Sequence, residues 1–374
     1  MTFTDQIVVE LSSNTVLSYL DSGPPNSSSN YETIILIHGN SFSNAIFKRL
    51  MPLCTKFNLR IVAPSRRGFP GSTPFSPSEL ALFSPEEIVQ EAASHEMKAR
   101  FLELRAVEIL RFIDGFIQRS SIPPISASSS PSPKGGIGLI GWSLGSTFSM
   151  AAVAHMDSSL VSDEMRNRLG QYLRTHIMLE PSITSLGLPF PPAAWIPFRD
   201  PNIPLHAQGP LFCNLVTGYF DYSEEILSAR NVTASSTTIA PSHSRIPTIY
   251  NFTQDEYDEI INLTEESTPD LYYSKVLQSQ IRDSYLRACY DRKLRFENAG
   301  LRNMKTVWEV VGTRSHGMIW PTFWEIENDD LKAGEGEKEK FVRFKILEGA
   351  NHFMQWDEPD MTMQAFRECL DASY

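Results

Sequence analysis

Gly141-Trp142-Ser143-Leu144-Gly145 is the stretch of this chain whose residue types and spacing could do covalent chemistry. It follows the apolar run Ile137-Gly138-Leu139-Ile140 and precedes the small, apolar segment Ser146 to Ala154. That pattern reads as strand, sharp turn, helix. A serine at the apex of such a turn takes a strained backbone conformation, and glycines two residues before and after let strand and helix pass close by. Its hydroxyl is then exposed at a helix N-terminus, where backbone N–H groups can stabilise a developing oxyanion. The chemistry would be nucleophilic attack on a carbonyl. The competing reading is a tight strand–helix turn carrying an inert serine.

Composition limits what surrounds this turn. A chain of 374 residues can bury a large core, as one big α/β domain or two smaller ones. Its 41% hydrophobic and 21% charged residues are those of a soluble globular protein. The formal net charge of -11 argues against nucleic acid and against an anionic membrane surface as partners. Met1 to Gln6 lacks a basic region followed by an apolar core, so no signal peptide is expected, and no apolar run reaches the ~20 residues of a membrane span. Four cysteines (Cys54, Cys213, Cys289, Cys369) lie far apart and are expected to be reduced thiols. The sequons at Asn231, Asn251 and Asn262 are expected to be silent, and the location cytoplasmic.

The elements that must position Ser143 can be read along the chain. Ile7–Leu11 and Val16–Asp21 suggest a hairpin on a sheet edge. Thr33–Ile37 and Leu59–Ala63 read as strands buried on both faces of a mostly parallel sheet, with a helix over Ala45–Phe57 between them. Pro85–Gln118 reads as a helix, and residues 120–134 as an exposed Ser/Pro-rich loop within the core. His176–Glu180 is another short strand. From 181 to 305 the βα alternation stops, and only Leu271–Arg295 is clearly amphipathic. Alternation returns with a strand over Thr306–Val311, a helix near Pro321–Glu327, a strand over Phe341–Leu347 and a helix over Pro359–Leu370. The expectation is a doubly wound, mostly parallel α/β core (1–180 and 306–374), with a largely helical cap (181–305) inserted after strand six.

The order strand, His38-Gly39-Asn40-Ser41-Phe42, βα unit, Gly-Trp-Ser143-Leu-Gly, insertion and late His352 resembles the α/β-hydrolase superfamily over roughly Ile7 to Leu370. Pro64 to Ser72 is similar to that family's loop after its fourth strand, with Ser65 where Asp is frequent. The family's chain order is nucleophile, acid, histidine. The resemblance implies Ser143 as nucleophile and His352, within Gly349-Ala350-Asn351-His352-Phe353, as its base. It implies an oxyanion hole from the backbone N–H groups of Asn40 and Leu144. It places Trp142, Ser41 and Phe42 against the substrate, although Trp142 could equally pack beneath the site.

The acid is less direct. The family usually carries it after strand seven, where Ser315 stands instead and no carboxylate follows until Glu325. Some members, including lactonases resembling those that open zearalenone, carry it at the end of strand six. That position here is Glu180. The other seven histidines read as structural or solvated, with His316 near the site end of a strand.

A serine at the elbow argues against epoxide hydrolases and haloalkane dehalogenases of the family, which use aspartate there. No cluster has metal-ligand spacing, and Gly135-Gly136-Ile137-Gly138 precedes a strand rather than a helix, so neither metal nor cofactor is implied. Aromatics of the insertion (Phe190, Trp195, Phe198, Phe212, Tyr219, Phe220, Tyr222, Tyr250 and Phe252) suggest an apolar pocket, the alternative being that most of them form the cap's own core. The expectation is a serine hydrolase cleaving a small, mostly apolar ester or lactone. An acyltransferase, a lyase or a non-catalytic ligand-binding protein on the same fold are the alternatives. Oligomeric state is not legible.

Overall fold

Runs of β-branched and apolar residues form an eight-stranded sheet in the computed structural model, which describes residues 5–8, 15–26, 29–84, 94–126, 134–264, 269–334 and 340–372. The strands are β1 (Asp5–Val8), β2 (Val16–Asp21), β3 (Glu32–Ile37), β4 (Leu59–Pro64), β5 (Ile137–Trp142), β6 (Leu173–Leu179), β7 (Thr306–Gly312) and β8 (Val342–Leu347). Their order is β1-β2-β4-β3-β5-β6-β7-β8. β1 and β2 form an antiparallel edge, and the strands from β4 to β8 are parallel.

The central strands are buried on both faces, and alternate residues feed two apolar layers. Ile35, Ile37 and Leu139 meet the helices α1 (His95–Ser120) and α2 (Gly145–Ala154) through Phe112, Ile113 and Met150. The same layer holds Met165 and Leu169 of α3 (Asp163–Tyr172). Ile34, Leu36 and Ile140 face the other way, onto Phe47 and the Met363–Phe366 side of the C-terminal helix.

Between β6 and β7 the described residues are helical or irregular. They include α4 (Leu205–Val216), α5 (Pro269–Val276) and α6 (Gln278–Tyr290). α6 packs on α2 through Ile281 and Tyr285, so this end of the insertion joins the helical layer of the sheet. After β7 come α7 (Ile319–Ala333) and, beyond β8, α8 (Pro359–Asp371).

Several local expectations differ from what forms. Ala45–Phe57 is two 3-10 turns and one α-turn (Asn44–Phe47, Met51–Leu53, Cys54–Phe57), because Pro52 lacks an N–H and disfavours helical backbone at Met51. α1 starts at His95, where the Ser94 hydroxyl caps the Met97 N–H; residues 85–93 lie outside the described ones. β1 pairs Asp5–Val8 with β2, and residues 9–14, expected to finish the hairpin, also lie outside. Of the loop expected over 120–134, residues 127–133 lie outside as well. Its described flanks are held by Ile125 N–H to Gln171 and Ser126 N–H to Lys134 carbonyls.

Candidate active site

Strand register brings the candidate residues together. Ile37 pairs with Gly141, so the loop after β3 and the turn after β5 leave the sheet side by side. The strand order reverses here, β4 lying on one side of β3 and β5 on the other, which is where open α/β sheets form a crevice. Trp142 pairs with Leu179 and Leu179 with Val310, so Ser143, Glu180 and the loop after β7 emerge at one edge. The Ser143 N–H donates to the Leu179 carbonyl (2.9 Å), and the Glu180 N–H to that of Val310 (2.9 Å).

The backbone is strained at this point. Among the described residues, three of the six non-glycine positions with positive φ are Ser41 (63°), Ser143 (53°) and Glu180 (53°). Each such conformation costs of order 1–3 kcal/mol and persists only where packing over-determines it. Packing does so at the serine turn. A Cβ on Gly145 would lie 2.1 Å from the Ile37 carbonyl oxygen, and one on Gly39 would lie 3.0 Å from Ser143 Cβ. Both glycines let the β3 loop press against the serine.

The His352 ring nitrogen Nδ1 lies 2.9 Å from Glu180 Oε2, both side chains being buried. Glu180 Oε1 accepts the Gly312 N–H at 2.5 Å. Burial lowers the His352 pKa to about 3, so its imidazole is neutral, with the proton on Nδ1 facing the carboxylate and Nε2 left as a base. Burial pushes Glu180 the other way, to about 7, against Ser315, the Gly312 N–H and His316, which favour its charge. Ser315 stands beside that carboxylate, but its buried Oγ makes no well-formed hydrogen bond among the described residues. Glu325 lies on α7 and makes no hydrogen bond with His352. Glu180 is therefore the carboxylate that meets the histidine.

Other contacts fix the two loops. The Trp142 indole N–H donates to the His352 carbonyl (2.9 Å), tying the histidine loop to the residue before Ser143. Asn351 is held by the Thr217 carbonyl (3.1 Å) and the Thr248 hydroxyl (2.9 Å). Ser143 Oγ makes no hydrogen bond with His352 or any other described residue.

The β3 loop is anchored from the far side. His38 Nε2 accepts the Arg66 N–H (3.0 Å), which puts the ring proton on Nδ1, 3.1 Å from the Gly39 carbonyl. The Arg66 guanidinium donates to the carbonyls of His38 (3.0 Å) and Gly39 (2.8 Å) and forms a buried bidentate pair with Asp270 of α5. A side chain of the insertion thus holds the loop whose Asn40 faces Ser143. Neither the Asn40 nor the Leu144 N–H has an acceptor among the described residues.

Asn40, Ser143, Leu144 and His316 border a cavity of about 650 Å³. Its walls come mainly from the insertion, including Phe190, Trp195, Phe198, Phe212 and Val216. Such a volume suits a small organic molecule. Ser41, Phe42 and Trp142, expected against substrate, do not border it. Trp142 is buried under the serine turn, edge-on to Phe42 (5.9 Å between centroids) and Phe353 (5.1 Å), and Ser41 bonds Asn40 Oδ1. Large rings beside an elbow fill the layer that supports it. His316, read as structural or solvated, does border the cavity. Its place after β7 was the signal available. Among the described residues no group of three or more His, Cys, Asp or Glu could hold a metal ion, and no helix is long and apolar enough to cross a membrane.

Comparison with known proteins agrees with this architecture. Residues 34–365 match the model of the alpha/beta hydrolase family. Solved structures similar to the chain include an esterase from Thermogutta terrifontis (13% identity over 99% of both chains, TM-score 0.48). Another is a 2-hydroxy-6-oxo-6-phenylhexa-2,4-dienoate hydrolase from a Rhodococcus species (13% identity, 97% of this chain and 96% of that one, TM-score 0.46). A third is epoxide hydrolase A from Mycobacterium thermoresistibile (13% identity over 95% of both, TM-score 0.45). No curated protein matches the chain.

Proposed function

The chain belongs to the alpha/beta hydrolase family, and from that premise we propose that it hydrolyses a carboxylic ester or lactone of a small, mostly apolar substrate through an acyl-enzyme. The observation that carries this reading is the buried His352–Glu180 pair at the strand ends where Ser143 and two acceptor-free N–H groups converge.

His352 Nε2 takes the Ser143 proton as Oγ bonds to the carbonyl carbon. The carbonyl oxygen gains charge and is held by the Asn40 and Leu144 N–H groups, at ~3 kcal/mol of stabilisation per donor. Glu180 fixes the imidazole tautomer and stabilises the imidazolium. His352 then gives its proton to the leaving oxygen as the C–O bond breaks. Water, deprotonated by His352, attacks the acyl-enzyme and releases the acid, and the proton returns to Ser143. For a lactone the leaving oxygen stays tethered to the acyl group, so the product is a hydroxy acid.

The test is rapid-quench mass spectrometry with 4-nitrophenyl butanoate. A burst of nitrophenol with butanoyl mass on Ser143, absent from Ser143→Ala, is expected. Turnover with no acyl adduct, or an adduct elsewhere, would sink the reading.

A further inference from the structure

His316 is the buried histidine whose imidazole has no protein hydrogen bond among the described residues. The other three buried histidines each have one: His38 with Gly39 and Arg66, His176 with Ser149, and His352 with Glu180. His316 is only 7% exposed, and it borders the cavity that holds Ser143. Neither His316 nitrogen is among the fully buried polar atoms that lack a partner, so the ring presents its nitrogens to the cavity, where a ligand group can bond them in place of water.

Its position is held on both sides. The Tyr222 hydroxyl donates to the Ser315 carbonyl (2.8 Å), and the Ser235 hydroxyl to that of Gly317 (3.1 Å). The ring stands edge-on to His352, with 4.7 Å between centroids. His352 carries the proton to the leaving oxygen in the reaction proposed above. A ring in contact with it borders the leaving group rather than the oxyanion hole.

The ligand's chemistry follows from the ring's charge. Burial, then the neighbouring His352, holds the His316 pKa down to about 3, so the ring is neutral. A neutral imidazole offers one N–H donor and one lone-pair acceptor. A carboxylate could use only the donor. A hydroxyl matches either nitrogen, donating to one or accepting from the other.

We propose that His316 is a substrate-binding residue that hydrogen-bonds a hydroxyl on the leaving-group side of the scissile bond, so that preferred substrates are monoesters of vicinal diols or catechols, or hydroxylated lactones. This rests on the ester-hydrolase reading of the same cavity, and the experiment separates the two. Binding of 2-hydroxyphenyl butanoate and of its 2-methylphenyl analogue, which can neither donate nor accept at that position, is measured by calorimetry in the Ser143→Ala background, where neither ester is consumed by Ser143. The hydroxy ester is expected to bind about tenfold tighter. His316→Phe should abolish that preference, with a thermal melt reporting an intact fold, and His316→Gln should keep part of it. An equal affinity for both esters, or a preference that survives His316→Phe, overturns the proposal. Turnover of either ester by the wild type is a separate arm, and its absence counts against hydrolysis alone.

Discussion

Glu180→Gln is the perturbation whose outcome the geometry constrains most. Glu180 accepts two hydrogen bonds with no solvent exposure, from His352 Nδ1 at 2.9 Å and from the Gly312 N–H at 2.5 Å. A glutamine has one oxygen for the two. With its oxygen on Gly312, its amide donates to Nδ1, the ring proton moves to Nε2, and His352 can no longer accept the Ser143 proton. With its oxygen on His352, two donors meet at Gly312, costing about 1–3 kcal/mol in a buried site. The first arrangement is therefore favoured. Loss of the correct tautomer in such a triad lowers turnover about ten-thousandfold, or about 5.4 kcal/mol of barrier. Turnover of 4-nitrophenyl butanoate would be compared for Glu180→Gln and Glu325→Gln, with thermal melts as the fold control. The expected result is a loss of three to four decades for Glu180→Gln and less than threefold for Glu325→Gln. A folded Glu180→Gln within tenfold of wild type would leave Glu180 a strand-end structural group with no part in the reaction.

Three further outcomes follow from neighbouring contacts. Ser315 stands beside the same carboxylate, so Ser315→Asp in the Glu180→Gln background is expected to restore turnover at least tenfold by supplying a carboxylate from the end of β7; no recovery in a folded double variant would place Ser315 out of reach of His352. Asp270→Asn leaves the Arg66 guanidinium buried without its counter-charge, which should cost about 3–5 kcal/mol of stability in urea unfolding. It should also slow acylation of Ser143 about tenfold or more, because Arg66 holds the His38 and Gly39 carbonyls; lower stability with unchanged acylation would make the pair purely structural. Glu309 on β7 is fully buried, both its oxygens lack hydrogen-bond partners among the described residues, and burial raises its pKa well above 4.5. The folded protein keeps that proton above pH 4.5 where the unfolded chain releases it, so stability falls as pH rises. Glu309→Gln should therefore stabilise increasingly above pH 4.5, by about 1.4 kcal/mol per pH unit, and a gain independent of pH would contradict this.

Much of this site was readable because its signals are local. The Ser143 turn needs glycines, a preceding apolar strand and a following helix, and all lie between Ile137 and Ala154. His352 stands just after the last strand. Glu180 was visible through an absence, Ser315 standing where a carboxylate was expected, and register explains the exchange: Trp142–Leu179 and Leu179–Val310 pairing bring the ends of β5, β6 and β7 to one place. What could not be read depends on distant contacts. Arg66 and Asp270 are 204 residues apart, and no local pattern links them. His316 is set apart by the cavity in front of it and by its ring's lack of a hydrogen-bond partner among the described residues, and its place after β7 hints at neither. α3 escaped notice because few of its ten residues are buried, Met165, Leu169 and Gly170, too few for a clear periodic stripe. Of the aromatics expected around the pocket, Phe190, Trp195, Phe198 and Phe212 line it. Tyr219 and Phe220 are buried instead against residues outside the insertion, the Tyr219 hydroxyl donating to Asp357 and the Phe220 N–H to the Arg314 carbonyl, contacts that periodicity does not reveal.

The central claim is that Ser143 is a nucleophile activated by His352 and Glu180. Intact-mass measurement after exposure to a fluorophosphonate probe tests it most directly and needs no knowledge of the substrate. Rapid addition of one label to the wild type, mapped to Ser143, is expected. Labelling should vanish in Ser143→Ala and His352→Ala and slow by orders of magnitude in Glu180→Gln. A wild type that stays unlabelled, or a label that persists in Ser143→Ala, would contradict it.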